Sequence, residues 1–234
     1  MRLPAVEGSA MIFAGQMVLA QTRNIWHKLR YSGPPSRERT SNTDRTRTDD
    51  AMKMPALLID RDGTMGGAPY HMHTPQEYIP FQGTREAFRL LREAGFPIYI
   101  ITNQSCIARG LDGGYNFAEE FLHIGADDWF ICPHDDQDGC DCRKPLPGLI
   151  YQAQTKYALD LLSAYTIGDR WSDMVAGGRA GTKLILVQTG RGDEAMSADR
   201  ARWAAYTADY VAQDLLDAAH WLMKRHQIDS LPSP

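Results

Sequence analysis

The sequence has no long apolar run, no excess of basic residues and few cysteines. None of its 234 residues falls in a stretch approaching the roughly 20 apolar residues that cross a bilayer, so we expect no membrane partner. The net charge is −4, and after residue 53 there are 16 Lys and Arg against 24 Asp and Glu. Because binding to a nucleic-acid backbone requires clustered basic residues, we also expect no nucleic-acid partner.

Three of the four cysteines lie close together, at Cys132, Cys140 and Cys142, with His134 between them. Two close pairs on one loop give a Cys₃His set suited to tetrahedral Zn²⁺. All four ligand positions are filled, so we expect a structural zinc ion; the alternative is a buried cluster of free thiols. This use of cysteine favours a reducing compartment, and we expect a cytoplasmic location.

The chain divides into an N-terminal extension, a body and a short tail. Residues 32–50 contain no large apolar residue, so we expect the extension, residues 1–53, to be disordered. A faint likeness to a signal peptide in this segment is interrupted by Glu7, and Met52 or Met54 could be the true start. We expect one domain over residues 54–228, a flexible tail over 229–234, and a monomer.

The body is organised around the segment 55–64, in which a short apolar run ends in D-R-D-G-T. This pattern predicts a buried parallel strand that delivers Asp60 and Asp62 to one face, with Arg61 pointing away. Two neighbouring carboxylates favour a divalent metal, and one can act as a nucleophile. A solvated acidic turn is the alternative; an EF-hand requires glycine at the sixth position, where this chain has Met65.

Strands and helices alternate through the rest of the body, which predicts an α/β fold with a parallel sheet covered on both faces. The predicted strands span 56–59, 97–101, 129–131, 165–167 and 183–188. The predicted helices span 84–94, 115–123, 149–159, 174–180 and 214–226. We expect Thr84 to be the N-cap of the first helix.

Three predicted strands end in polar clusters: D-R-D-G-T, T-N-Q-S at 102–105 and G-D-R-W-S-D at 168–173. Open parallel sheets bind ligands at the carboxyl ends of their strands, so we expect the clusters to meet. Thr102 and the amides after it can bond phosphate oxygens, and Asp169, with Asp173 one helical turn on, adds a carboxylate for the metal. Arg143 and Lys144 can balance the charge of a phosphoryl group.

These motifs resemble those of the haloacid dehalogenase (HAD) superfamily phosphatases. The matching elements are D-R-D-G-T, the Thr of T-N-Q-S, the Lys of R-K-P and G-D-R-W-S-D. More narrowly, T-N-Q-S-x-I-A-R-G and C-P-H…C-D-C-R-K-P resemble the D-glycero-D-manno-heptose 1,7-bisphosphate phosphatases, a pattern that histidinol-phosphate phosphatases share. The resemblance covers about residues 54 to 226 and implies a Rossmann-like HAD core with a zinc-stapled loop and no large cap domain.

The resemblance also implies roles for the site residues. Asp60 would be the nucleophile and Asp62 the general acid and base, with Thr102 and Lys144 steadying the phosphoryl group. Mg²⁺ would be held by Asp60, the backbone carbonyl of Asp62, and Asp169, with Asp173 in support. The residues expected to contact substrate are Asn103, Gln104, Ser105, Arg143 and Arg170.

The implied activity is Mg²⁺-dependent phosphomonoester hydrolysis of a small phosphorylated metabolite through an aspartyl phosphate, with heptose 1,7-bisphosphate the first choice. Histidinol phosphate and other sugar phosphates are alternatives. A nucleic-acid 3′-phosphatase and a non-catalytic zinc-stapled binding module are weaker ones, since the body is acidic and Asp60, Asp62 and Asp169 are all present.

Cys106 replaces the usual glycine after T-N-Q-S, and the 65–80 loop departs from the pattern. The alternative to substrate contact is that Arg143 and Arg170 pair with acidic neighbours such as Asp141 and Asp173.

Overall fold

A computed structural model of the protein describes residues 54–67 and 74–228. The N-terminal extension, the centre of the 65–80 loop and the C-terminal tail therefore lie outside the described residues. Six parallel strands form one sheet in the order β5-β4-β1-β6-β7-β8, and β2 and β3 form an antiparallel hairpin. The strands are β1 (Leu57–Ile59), β2 (Gly66–Gly67), β3 (Ile79–Pro80), β4 (Ile98–Asn103), β5 (Asp128–Cys132), β6 (Tyr165–Gly168), β7 (Lys183–Val187) and β8 (Tyr210–Ala212).

Helices cover both faces of the sheet, as the alternating pattern predicts. They are α1 (Thr84–Glu93), α2 (Phe117–Ile124), α3 (Gly148–Tyr157), α4 (Trp171–Ala180), α5 (Gly192–Met196) and α6 (Leu215–Arg225). Short 3₁₀ turns lie at Pro75–Glu77, Asp136–Asp138 and Arg200–Trp203. Within residues 54–67 and 74–228, no helix is long and apolar enough to cross a membrane, and no segment forms a separate cap domain.

The centre of the sheet is packed from both sides. Leu57 and Ile59 of β1 face one apolar cluster with α1, α2 and α6, whereas Leu58 faces a second cluster with α3. All three side chains are fully buried, which stabilises the fold by about 1.5–3 kcal/mol for each side chain. The strand is thereby fixed, and with it the start of the D-R-D-G-T segment.

Two details of the predicted helices are wrong. Thr84 is not an N-cap: it is the first residue of α1, and its buried hydroxyl donates to the carbonyl of Met65 at 2.7 Å. The second error concerns α4, which begins at Trp171 and not at Met174. The carboxylate of Asp173 accepts the backbone N–H of Arg170 at 3.0 Å, and this hydrogen bond caps the helix one turn earlier than predicted.

Candidate active site and zinc centre

The site forms where three neighbouring strands end. β1 pairs with β4 on one side and with β6 on the other, so the carboxyl ends of the three strands, at Ile59, Asn103 and Gly168, meet at one edge of the sheet. This confirms the fold expected from the sequence, and it places the three polar clusters around one cavity edge.

Three carboxylates are buried together at this edge. Oxygens of Asp60, Asp169 and Asp173 all lie within 4.8 Å of one another. Burial raises the pKa of Asp60 to about 7, against an opposing effect from Lys144 and with reinforcement from Asp173 and Asp62. Burial also raises the pKa of Asp169, to which the charges of Asp60 and Asp173 add. If all three carboxyl groups were ionised, they would carry more negative charge than the surrounding protein stabilises.

Lys144 supplies one positive charge to this cluster. Its ammonium lies 2.5 Å from Oδ1 of Asp60 and 2.7 Å from Oδ1 of Asp173, and it donates to the carbonyl of Ile101 at 2.8 Å. Burial alone would lower the pKa of Lys144, but the charges of Asp173 and Asp60 outweigh it and the pKa is raised. Lys144 is thus held as a cation beside Asp60.

The described residues fit a divalent cation. Oδ1 of Asp169 is buried without a hydrogen-bond partner, while its Oδ2 accepts the N–H of Arg191 at 2.8 Å. Gly63, at a φ of +94°, passes so close that a Cβ there would overlap the Asp169 carboxylate. An unpaired buried carboxylate oxygen beside Asp60 is the type of hard oxygen donor that Mg²⁺ binds.

Asp62 is held separately from Asp60. Gln104 donates its amide N–H groups to Oδ2 of Asp62 at 2.6 Å and to the buried hydroxyl of Thr102 at 3.0 Å. Arg61 donates to Oδ1 of Asp62 at 2.6 Å. Asp60 and Asp62 both line the same cavity of about 270 Å³, although each has its own cationic partner.

The remaining sequence-predicted residues lie around this cavity. Asn103 exchanges two hydrogen bonds of 3.1 Å with the backbone of Lys144, and so fixes the segment that carries the lysine. Ser105 lines the cavity directly. Arg143 and Arg170 stand in the wall between it and an adjoining cavity of about 570 Å³.

The alternative drawn from the sequence, pairing with acidic neighbours, holds for Arg143, although with another partner than Asp141. Arg143 pairs with Asp136 at 2.5 Å, and not with Asp141, because the loop turns the Asp136–Asp138 segment toward it. It also donates to the carbonyl of His134 at 3.2 Å. Asp173 accepts the backbone N–H of Arg170 and binds Lys144, so it is not a side-chain ion partner of Arg170.

The four predicted zinc ligands converge. Sγ of Cys132 lies 3.7 Å from Sγ of Cys140 and 3.6 Å from Nδ1 of His134, which lies 3.3 Å from Sγ of Cys142. A tetrahedral ion with Zn–S bonds of about 2.3 Å separates its ligands by about 3.8 Å. The spacing therefore fits Zn²⁺, and the loop it would close leads directly into Arg143 and Lys144.

Two residues near the site were not selected from the sequence: Arg61 and Glu120. Arg61 is fully buried and donates two hydrogen bonds to Glu120, of 2.8 and 2.7 Å. Arg61 stands between Asp60 and Asp62 just after β1, but its partner Glu120 lies 59 residues away and no local pattern identifies the pair.

Comparisons with known proteins agree with this geometry. Residues 141–218 match the family described as HAD-hydrolase-like. The chain is 35% identical over 173 residues to a D-glycero-beta-D-manno-heptose-1,7-bisphosphate 7-phosphatase of Yersinia pestis, covering 64% of this chain and 89% of that protein. It is 32% identical over 181 residues to the protein of the same name from Bordetella bronchiseptica, covering 73% and 99%.

A solved structure gives the same result. The crystal structure of the D,D-heptose 1,7-bisphosphate phosphatase from B. bronchiseptica, complexed with magnesium and phosphate, superposes with a TM-score of 0.66 at 32% identity. The match covers 74% of this chain and 99% of that one. The chain therefore belongs to the HAD-like phosphatase family that includes these heptose-bisphosphate phosphatases.

Proposed function

We propose that the protein hydrolyses D-glycero-β-D-manno-heptose 1,7-bisphosphate at the C7 phosphate in the presence of Mg²⁺. The relatives that carry this activity in their names match the chain over most of their length. The observation that carries the proposal is the position of Asp60: a buried carboxylate at the end of β1, in contact with Lys144 and beside the unpartnered oxygen of Asp169.

The first step transfers the phosphoryl group to the protein. A carboxylate oxygen of Asp60 attacks phosphorus, and the bond from phosphorus to the sugar oxygen breaks. Asp62 gives its proton to that oxygen, so the leaving group departs as an alcohol. Lys144 offsets the negative charge on the phosphoryl oxygens, and in this proposal the hydroxyl of Thr102 donates to one of them.

The second step releases phosphate. Asp62, now a carboxylate, takes a proton from a water molecule whose oxygen attacks phosphorus, and the bond to Asp60 breaks. Asp62 is reprotonated and Asp60 is restored as a carboxylate. The same side chain acts first as an acid and then as a base, which requires that its orientation be kept through both steps.

The Mg²⁺ would be held by Asp60, Asp169 and the backbone carbonyl of Asp62. Asp173 would support this site through its ion pair with Lys144. When bound, the ion supplies positive charge that draws phosphate oxygens toward Asp60. We propose a separate structural role for Zn²⁺ at Cys132, His134, Cys140 and Cys142, because all four positions of a tetrahedral site are filled.

A second phosphate on the substrate would account for the positions of Arg143 and Arg170 beside the catalytic cavity. Arg170 is exposed at the wall shared by the two cavities, and Arg143 pairs with Asp136, whose side chain is 67% exposed. An ion pair with so exposed a partner contributes little, so a phosphate can compete with Asp136 for the guanidinium. We therefore expect a bisphosphate to bind better than a monophosphate.

The test compares heptose 1,7-bisphosphate with heptose 7-phosphate and histidinol phosphate by kcat/KM, and identifies the product by ³¹P NMR. We expect the bisphosphate to be preferred and the anomeric phosphate to remain. Arg170→Ala and Arg143→Ala should each weaken the bisphosphate more than the monophosphate, by about tenfold. Arg89→Ala, on the exposed face of α1, is the control. Release of the anomeric phosphate, or a preference for histidinol phosphate, would contradict the proposal.

A further inference from the structure

The guanidinium of Arg61 is buried between two carboxylates that come from different parts of the chain. Its Nη1 donates to Oδ1 of Asp62 at 2.6 Å. Its Nε and Nη2 donate to the two oxygens of Glu120, at 2.8 and 2.7 Å, in a bidentate pair. Arg61 thus connects the active-site carboxylate to helix α2 through three hydrogen bonds donated by one planar group.

The geometry around Arg61 leaves it little freedom. Its guanidinium lies 3.8 Å from the ring centroid of Tyr78, and Tyr115 donates its hydroxyl to Glu120 at 2.6 Å. Burial alone would lower the pKa of Arg61, but the charge of Asp62 and the bonds to Glu120 outweigh it, and the pKa is raised. The side chain is therefore a fixed cation whose only described contact in the catalytic cavity is Asp62.

Asp62 is held from the opposite side as well. Gln104 donates to its Oδ2 at 2.6 Å while Arg61 donates to its Oδ1. With one donor on each oxygen, rotation of the carboxylate breaks two hydrogen bonds at once. Each of these donors also has a second partner, Thr102 for Gln104 and Glu120 for Arg61, which fixes its own position.

We propose that Arg61, anchored by Glu120, is a positioning residue that sets the orientation of Asp62 for proton transfer. The inference rests on the proposed function, in which Asp62 protonates the leaving alcohol and later deprotonates water. The competing explanation is that Arg61 only neutralises Glu120 inside the fold. The two differ in one respect: positioning matters only for steps that need a proton from Asp62 or deliver one to it.

The experiment separates those steps by choice of leaving group. Arg61→Lys keeps the charge but loses the planar fork that reaches both carboxylates. Glu120→Gln keeps Arg61 and weakens its anchor, and so provides a second variant if Arg61→Lys does not fold. Glu119→Gln, on the exposed side of α2, is the matched control, and Asp62→Asn is the reference. Each protein is assayed with Mg²⁺ on heptose 1,7-bisphosphate in the steady state, and on p-nitrophenyl phosphate in a single turnover.

An alcohol needs a proton to leave, whereas p-nitrophenolate does not. We expect Arg61→Lys to lower kcat on the sugar phosphate about 10²-fold, in the range that general acid–base catalysis contributes. Release of p-nitrophenolate in the first turnover should stay close to the parent rate, and Glu120→Gln should show the same split with a smaller loss. Asp62→Asn should show the split most strongly, and Glu119→Gln should match the parent.

Equal losses on both substrates, or no loss on either, in Arg61→Lys and Glu120→Gln would overturn the inference. If Asp62→Asn shows the split and these two variants do not, Arg61 has only a structural role while the proposed function stands. If Asp62→Asn itself keeps full turnover of the sugar phosphate, the proposed function fails first.

Discussion

The ammonium nitrogen of Lys144 lies 2.5 Å from Oδ1 of Asp60, and both side chains are almost completely buried. Removing the cation from such a pair leaves an uncompensated buried charge, which costs about 3–5 kcal/mol in the free energy of unfolding. We expect Lys144→Met to be destabilised by this amount in urea denaturation without Mg²⁺. Lys224→Met, on the exposed side of α6, is the control. A loss below about 1 kcal/mol, which is the usual contribution of an exposed ion pair, would contradict this prediction.

We expect substitution of Asp60 and of Asp62 by asparagine to lower turnover to different extents. Asp60→Asn should remove turnover while the thermal melting curve stays cooperative, because an amide does not attack phosphorus. Asp62→Asn should lower kcat by about 10² to 10⁴, the usual contribution of a general acid and base. Asp193→Asn, an exposed residue of α5, should keep the parent rate. Activity of Asp60→Asn within about tenfold of the parent would rule out Asp60 as the nucleophile.

Much of the fold could be predicted from sequence because its strands are short apolar runs that end in polar residues. β1 and β4 to β7 are all of this type. β8, Tyr210–Ala212, has two half-exposed residues at the edge of the sheet, so its sequence carries little burial signal. The β2–β3 hairpin pairs Gly66 with Pro80, two residues that are uncommon in strands.

The candidate site was predictable as far as its motifs reach. The proposed metal carboxylates, Lys144 and the proposed zinc ligands each stand in a short motif. The structure brings the carboxylates to Lys144, and it brings the cysteines and histidine into a second cluster. The sequence predicts that Gln104 contacts substrate, and that contact stays a prediction. The structure adds hydrogen bonds from its amide to Asp62 and Thr102, which the sequence does not predict. The Arg61–Glu120 pair depends on tertiary packing between α2 and the segment that follows β1, which no local spacing encodes.

The zinc prediction is tested by metal content and stability. We expect about one Zn²⁺ per chain, since one Cys₃His cluster lies in the described residues, and Cys140→Ser should lower both zinc content and the melting temperature. Cys106→Ser is the matched control, because this cysteine lies outside the cluster. Zinc loss should also lower activity, because the loop leads into Lys144. A folded, active protein without zinc would contradict the assignment.

The N-terminal extension is expected to be dispensable. Its second half has no large apolar residue with which to build a core, and the motif-bearing body begins at residue 55. A chain that begins at Met52 should keep the melting temperature, kcat and KM of the full chain. If the shortened chain becomes insoluble or inactive, the extension packs on the body and the proposed domain boundary is wrong.

The central claim is that catalysis proceeds through a phosphoryl group on Asp60. The most direct measurement mixes the enzyme with Mg²⁺ and excess heptose 1,7-bisphosphate, quenches in acid and reduces with borohydride, which converts an aspartyl phosphate to homoserine. Peptide mass spectrometry then locates the change. We expect homoserine in place of Asp60 in the parent and none in Asp60→Asn. Homoserine at Asp169 or Asp173, or none in an enzyme that turns over under the same conditions, would contradict the mechanism.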